Sequence, residues 1–208
     1  MNILFVCTGN TCRSPMAETI LKTKTNKVSA KSAGIYASHG SAMSEGTKTV
    51  LAEKGFQTEH VSKQVTNDLI NWADLVLTMT HNHKQLLNQM FPSKKDKTFT
   101  LKEYNIKCKD RAMNQYVKAL ENLQKKQEKF KEPKETYRTG IEKEIAITEF
   151  VKDELEEVKA VQRKLNQEDV QDPYGQNKAI YQKTFNELNI EIQKIINEVD
   201  NDESNYNR

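Results

Sequence analysis

The sequence predicts an α/β chain: a four-stranded parallel sheet with helices on both faces, carrying an inserted antiparallel α-helical hairpin. Three observations lead there. Residues 2–22, NILFVCTGNTCRSPMAETILK, pass from a short apolar run through a small, polar loop into a helical pattern. Leu75-Val76-Leu77-Thr78-Met79 forms a second apolar run of the kind that a buried parallel strand needs. Between residues 105 and 169 the composition turns to Lys, Glu, Gln and Asn threaded by narrow apolar stripes. Strands alternating with helices build a parallel sheet by crossover connections, and the polar stretch is foreign to that plan. The expected division is therefore 1–104 with 170–208 as one domain and 105–169 as a helical, coiled-coil-like insertion.

Each element has its own signal. Ile3, Leu4, Phe5 and Val6 read as the first strand. Pro15 fits a first helical turn, and Met16, Ala17, Ile20 and Leu21 repeat at helical spacing. Lys27–Gly34 reads as a second strand ending in a turn, and 35–41 as a loop. Ser44–Lys54 reads as a helix with Val50 and Leu51 inward, stopped by Gly55. Phe56–His60 is expected as a short edge-like segment, and Thr66–Trp72 as a short helix capped by Thr66 or Asn67. After the 75–79 strand, His81–Met90 reads as a helix with Leu86 and Leu87 inward, and Thr98–Leu101 as the last strand. In the insertion, Met113, Tyr116, Leu120, Leu123 and Phe130 form one stripe. Ile141, Ile145, Val151, Leu155, Val158 and Leu165 form another. The stretch EPKETYRTG (132–140) lies between them, with Pro133 to stop one helix before the next begins. Two such helices folded on each other give a short coiled-coil hairpin. Ile180, Phe185, Leu188, Ile192, Ile195, Ile196 and Val199 mark a final helix.

Composition narrows the function. The chain has 208 residues, 36% hydrophobic, with a net charge of +3 and a mean hydropathy of −0.80. Lys and Glu alternate rather than segregate, so no nucleic-acid surface is expected. No basic leader precedes the first strand and no apolar stretch is long enough for a membrane span, so a cytoplasmic protein is expected. The three cysteines, Cys7, Cys12 and Cys108, fit a reducing compartment. His81 and His83 stand too close on a helix to share a face, and no third ligand is in sight, so neither a metal nor a cofactor is expected.

The chemistry concentrates in the first loop. A strand–loop–helix turn aims backbone N–H groups and the positive end of the helix dipole at one point, a ready anion site. Cys7 sits at the strand end, and Arg13 follows it at Cys-x5-Arg spacing, with Ser14 next. The thiolate is the nucleophilic form of cysteine, and a ring of N–H groups with a guanidinium stabilises it. The planar fork of Arg13 suits a phosphoryl group, and the Ser14 hydroxyl can donate to the sulfur. Thr8, Gly9, Asn10, Thr11 and Cys12 supply the rest of the anion loop. Gly9 permits backbone angles that a β-carbon opposes, and Asn10 tolerates a left-handed turn. Far along the chain, Asp172-Pro173-Tyr174-Gly175 is a turn whose proline fixes the carboxylate. Phosphoryl transfer to a thiolate needs a proton donor for the leaving group, and Asp172 is the candidate.

The stretch CTGNTCRSPMAE (7–18) resembles the phosphate loop of the low-molecular-weight protein tyrosine phosphatase family, nearest its bacterial, Bacillus-type protein-arginine-phosphatase branch. The likeness continues through SAGI (32–35), EHVS (59–62), ADLVLTMTHNHKQLL (73–87), TFTLKEY (98–104) and DPYG (172–175). It covers 1–104 and 170–200 but not 105–169. The resemblance implies the low-molecular-weight phosphatase fold and a phosphatase with a cysteinyl-phosphate intermediate. Cys7, Arg13 and Asp172 would be catalytic. Residues 35–41, with Tyr36 and His39, would wall one side of the cleft. Tyrosine-directed members usually carry a larger aliphatic residue before the second loop cysteine. Thr11 stands there instead, as in the arginine-directed branch, so phosphoarginine proteins are the expected substrates. Asp172 would pair with the guanidinium and Tyr174 would pack on it. Tyrosine phosphatase, a non-catalytic phospho-binding scaffold and an arsenate reductase are the alternatives. The reductase would need more redox cysteines than Cys108 provides. For Cys12, a disulfide with Cys7 and a small loop-filling thiol both stand open. The hairpin is either a solvated spacer or a device that shapes a substrate lid or holds a partner protein.

Overall fold

Strand β1 (Asn2–Cys7) lies inside a four-stranded, all-parallel sheet of order β2-β1-β3-β4. The computed structural model describes residues 1–57, 59–107, 110–130, 140–166 and 169–206. The partners of β1 are β2 (Ser29–Gly34), with Cys7 opposite Gly34, and β3 (Leu75–Thr78), with Phe5 opposite Leu77. Strand β4 (Thr98–Thr100) extends the sheet beyond β3.

Successive side chains of a strand point to opposite faces, and β1 is apolar on both. Ile3 and Phe5 pack with Met16, Ile20 and Leu21 of α1 (Arg13–Lys24) and with Leu188, Ile192 and Ile195 of α9 (Lys178–Tyr206). Leu4 and Val6 pack with Ile70 of α3 (Asn67–Trp72) and Leu87 of α4 (His81–Met90). The second strand, β2, lies on one side of β1 and the third on the other. The chain therefore reverses its winding beside β1, and in open α/β sheets the carboxyl side of that switch point is where ligands bind. Cys7 stands there.

The helices begin on short polar caps. The side chain of Ser44 accepts from Thr47 N at the start of α2 (Glu45–Glu53), Thr66 caps α3, and Thr80 caps α4 by accepting from His83 N. Each satisfies a backbone donor that the helix itself leaves open.

The structure departs from the sequence expectation at several places. Phe56–His60 forms no strand among the described residues. Phe56 turns inward instead and meets Phe185 edge-on, with ring centroids 5.5 Å apart, and Val61 makes only an isolated bridge with Ala42. The last strand stops at Thr100, and Leu101 opens α5 (Leu101–Lys107). A reciprocal cap makes that turn: Thr100 Oγ1 accepts from Glu103 N at 3.0 Å, and Glu103 Oε2 accepts from Thr100 N at 3.1 Å.

The chain forms two compact units, Met1–Asn105 with Glu168–Arg208, and Ile106–Gln167. The second contains α6 (Asp110–Glu128), α7 (Gly140–Phe150) and α8 (Lys152–Asn166). Phe130 meets Phe150 edge-on at 5.4 Å and Lys126 pairs with Glu154 at 2.8 Å, so α6 and α8 run antiparallel. The expected single second helix is interrupted at Val151. Ala119, Val151 and Val158 are buried, whereas Ile141 and Ile145, expected inward, are exposed. The expected inward positions Met113 and Leu165, the stretch 132–140 and Cys108 lie outside the residues whose side chains are described. No helix is long and apolar enough to cross a membrane among the described residues.

Candidate active site

Between β1 and α1 the loop turns at Asn10, a non-glycine residue with φ 54°. That left-handed conformation is costly unless the surroundings hold it, and here they do. Asn10 is fully buried. Its amide nitrogen donates to Ser14 Oγ at 3.0 Å and to Ser32 Oγ at 2.9 Å. Its side-chain oxygen accepts from Lys63 N at 3.0 Å. Its backbone carbonyl accepts from Ser62 Oγ at 2.7 Å and lies 2.8 Å from His60 Nε2. Burial lowers the pKa of His60, so its ring is neutral at pH 7 and carries its proton on Nε2, facing the carbonyl. The end of β2 closes against the same loop. A β-carbon at Gly34 would lie 2.6 Å from Thr8 O and 2.8 Å from Asn10 N, so no larger residue fits.

The carbonyls of Thr8, Asn10 and Thr11 are each taken by a donor outside the loop. Among the described residues, no acceptor meets the backbone N–H groups of Gly9, Asn10, Thr11 or Cys12. They belong to the same loop as Cys7, whose Sγ lies 3.0 Å from Ser14 Oγ. Ser14 Oγ also lies 3.2 Å from Ala33 O. Its one proton can serve the carbonyl or the sulfur but not both. A thiol at Cys7 donates to Ser14, and a thiolate takes the Ser14 proton instead.

Arg13 completes the ring and is 4% exposed. Nη1 donates to Val170 O at 3.3 Å and Nη2 to Asp172 Oδ2 at 2.6 Å. Arg13 Nε is buried with no partner. A buried guanidinium N–H without an acceptor among the described residues is costly, and Arg13 lines the same cleft as the open loop. The other carboxylate oxygen, Asp172 Oδ1, accepts from Tyr174 N at 3.2 Å, and Pro173 is buried, so the turn holds the carboxylate at the mouth. The segment is tied to the sheet by Val170 N donating to Met79 O at 2.8 Å.

The result is a cleft of about 310 Å³ with Cys7 at its floor. Thr8, Gly9, Thr11, Cys12, Arg13, Asp172 and Tyr174 line it, while Asn10 and Ser14 stand behind the loop. Tyr36 lines the cleft as well, but His39 does not and is exposed. Cys12 Sγ donates to Ser44 Oγ at 3.1 Å and lies 3.9 Å from Tyr181 OH. No group of three or more His, Cys, Asp or Glu side chains is gathered as a metal ion would require among the described residues.

Sequence reasoning missed the polar groups that reach the loop from distant segments. His60, Ser62 and Ser32 are legible only as members of similar stretches, whereas Ser38 and Ser41, which line the cleft, lie in the 35–41 loop expected on its wall. In the sequence His83 stands out only as a near neighbour of His81. It is 5% exposed, with Nε2 2.9 Å from Thr8 Oγ1 and Nδ1 2.9 Å from Thr80 Oγ1. Burial pushes its pKa down from 6.5 to about 4, and the nearby Arg13 charge adds to the fall. The ring is therefore neutral in the folded protein and protonates near its ordinary value in the unfolded chain. Its contribution to stability is complete above pH 6.5 and is lost as the pH falls toward 4, amounting to about 2–3 kcal/mol. Urea midpoints from pH 7 to pH 4.5 are expected to fall further for the wild type than for His83→Gln. Equal falls in the two proteins would remove this assignment.

The model of the low molecular weight phosphotyrosine protein phosphatase family matches residues 2–161. A protein-arginine-phosphatase from Geobacillus stearothermophilus is 52% identical over 103 residues, spanning 49% of this chain and 70% of that protein. The structure of YwlE arginine phosphatase from Geobacillus stearothermophilus superposes with a TM-score of 0.67 at 30% identity, covering 98% of this chain and 96% of that one. The C7S mutant of YwlE arginine phosphatase with a phosphorylated active-site serine superposes with a TM-score of 0.65 at 29% identity, covering 96% of each chain.

Proposed function

The chain belongs to the low molecular weight phosphotyrosine protein phosphatase family, and from that premise we propose that it removes phosphate from phosphoarginine residues of proteins through a cysteinyl phosphate. The observation that carries the reading is one cleft lined by Cys7, by a loop whose amides meet no acceptor among the described residues, and by Arg13 with its buried, unpartnered Nε. An anion with three oxygens around a central atom satisfies all of these donors at once.

In the proposed reaction the Cys7 thiolate attacks phosphorus in line with the leaving nitrogen. The Ser14 proton turns to the sulfur before attack. Arg13 and the loop amides hold the three equatorial oxygens as charge spreads over them. Asp172 delivers a proton to the departing guanidine nitrogen, and its carboxylate then takes a proton from the water that hydrolyses the phosphocysteine. In the resting site Arg13 Nη2 holds Asp172 as a carboxylate, so an arriving phosphate replaces it on the guanidinium and frees it to take up from solvent the proton that it then passes to the leaving nitrogen.

The substrate class rests on the mouth of the cleft. Thr11 offers a hydroxyl and a methyl group where a bulkier aliphatic residue would crowd a guanidinium. Tyr174 and Tyr36, 69% and 66% exposed, offer aromatic faces to a planar cation. The arginine phosphatases among the relatives support the same reading. Tyrosine phosphatase activity is the second reading, favoured by those two aromatic rings and by the family's wider range. Peptides of one sequence carrying phosphoarginine or phosphotyrosine separate the two. kcat/KM is expected to favour phosphoarginine by about tenfold or more, and Thr11→Ile to erase that preference. A preference for phosphotyrosine in the wild type overturns the substrate class and leaves the mechanism.

The helical stretch 105–169 contains neither Cys7, Arg13 nor Asp172. It is proposed as a separate insertion that selects protein substrates or holds a partner protein. A reducing, cytoplasmic setting fits two free cysteines at the site.

A further inference from the structure

His83 has no part in the mechanism above, yet it is buried against the residue that follows the nucleophile. Among the described residues the Thr80 hydroxyl proton meets no acceptor but His83 Nδ1, and the direction of the His83 hydrogen bonds is assigned on that ground. Thr80 Oγ1 accepts from His83 N at 3.2 Å, as the cap of α4 requires. The Thr80 hydroxyl proton is then left for His83 Nδ1, 2.9 Å away. A neutral imidazole that accepts at Nδ1 carries its proton on Nε2, and that nitrogen lies 2.9 Å from Thr8 Oγ1. So His83 donates to Thr8, and the Thr8 hydroxyl keeps its own proton for another acceptor. Thr8 is exposed and lines the cleft next to Cys7.

We propose that His83 is a positioning residue that turns the Thr8 hydroxyl into an extra hydrogen-bond donor to the substrate's phosphoryl oxygens. Backbone amides and a guanidinium bind the phosphoryl group from the loop itself. Thr8 adds a side-chain donor whose orientation is set from outside the loop, by α4. The charges that reach the imidazole are those of Arg13, Asp169 and Asp172, and the ring's low basicity keeps the Thr80–His83–Thr8 chain pointing one way across neutral pH. The inference rests on the phosphatase reading of the site.

The test uses the full-length protein, with inorganic phosphate as a competitive inhibitor and para-nitrophenyl phosphate as substrate. Thr8→Val removes the donor and is expected to weaken phosphate binding about tenfold, with a matching fall in kcat/KM. His83→Asn, whose amide reaches toward Nδ1 only, is expected to lose as much. His83→Gln carries an N–H at the place of Nε2 and is expected to recover most of the loss. Thr8→Val combined with His83→Asn is expected to be no worse than either alone. Thermal midpoints near wild type in His83→Gln and Thr8→Val keep the comparison about binding rather than folding. Thr8→Val with wild-type phosphate affinity overturns the proposal and leaves the phosphatase function standing. So do equal losses in His83→Gln and His83→Asn, or additive losses in the double variant. A wild type that binds no phosphate overturns both.

Discussion

Cys7→Ser is expected to lower kcat for phosphoarginine peptides by about 10⁴-fold or more while leaving the fold and the phosphate site in place. Cys7 is 3% exposed and lines the cleft, and among the described residues its close polar partner is Ser14 Oγ at 3.0 Å. That partner can donate to a thiolate but cannot strip a proton from an alcohol. A serine hydroxyl is far less acidic than a thiol, and among the described residues no histidine or carboxylate is hydrogen-bonded to the side chain at position 7. The substitution is nearly isosteric, so Asn10, Ser32 and Gly34 still shape the loop. The measurement is single-turnover kinetics together with phosphate inhibition constants or calorimetric phosphate binding. Residual turnover above about 1% of wild type would remove Cys7 from the role of nucleophile.

Asp172→Ala is expected to cut kcat by about 10²–10⁴-fold. The size of the effect follows the leaving group. Guanidine nitrogen departs poorly without a proton, whereas para-nitrophenolate departs readily, so the loss on a phosphoarginine peptide is expected to exceed that on para-nitrophenyl phosphate in the first step. Phosphate affinity is expected to hold or rise, because the variant removes the carboxylate that occupies Arg13 Nη2 at 2.6 Å in the resting site. Because the Asp172 side chain is about half exposed, its removal leaves no buried void, and thermal stability is expected to change little. Equal kcat in variant and wild type on the phosphoarginine peptide would exclude Asp172 as the acid.

These two residues illustrate what sequence carries and what it leaves out. The first strand and its loop were legible because their signals are local: four apolar residues, then Cys7 and Arg13 at a fixed spacing, then Pro15 and a helical repeat. Asp172 was legible only in combination, since an Asp-Pro turn says nothing until a thiolate elsewhere needs a proton donor. His83 was not legible as a partner of Thr8, because 75 residues separate them and only the parallel pairing of β1 with β3 brings the start of α4 to the loop. Glu103 was a missed local signal: its reciprocal cap with Thr100 begins a helix where a strand was expected to continue. In the insertion, hydrophobic spacing marked helices but not their contacts. Ala119 is buried while Ile141 and Ile145 face outward, because close helix packing selects small residues as readily as large ones.

The Asn10 turn has a consequence for how such a site can change over generations. Every group that shapes it, from Ser32 and Ser62 to His60 and the amide of Lys63, lies behind the loop. Tyr36, Thr11 and Tyr174 line the cleft, and their side chains bear none of that scaffolding. Substitution at the mouth therefore leaves the cradle intact, and substrate preference can drift one residue at a time through enzymes that all still fold and still hold phosphate. The site is evolvable at its mouth because it is rigid at its base.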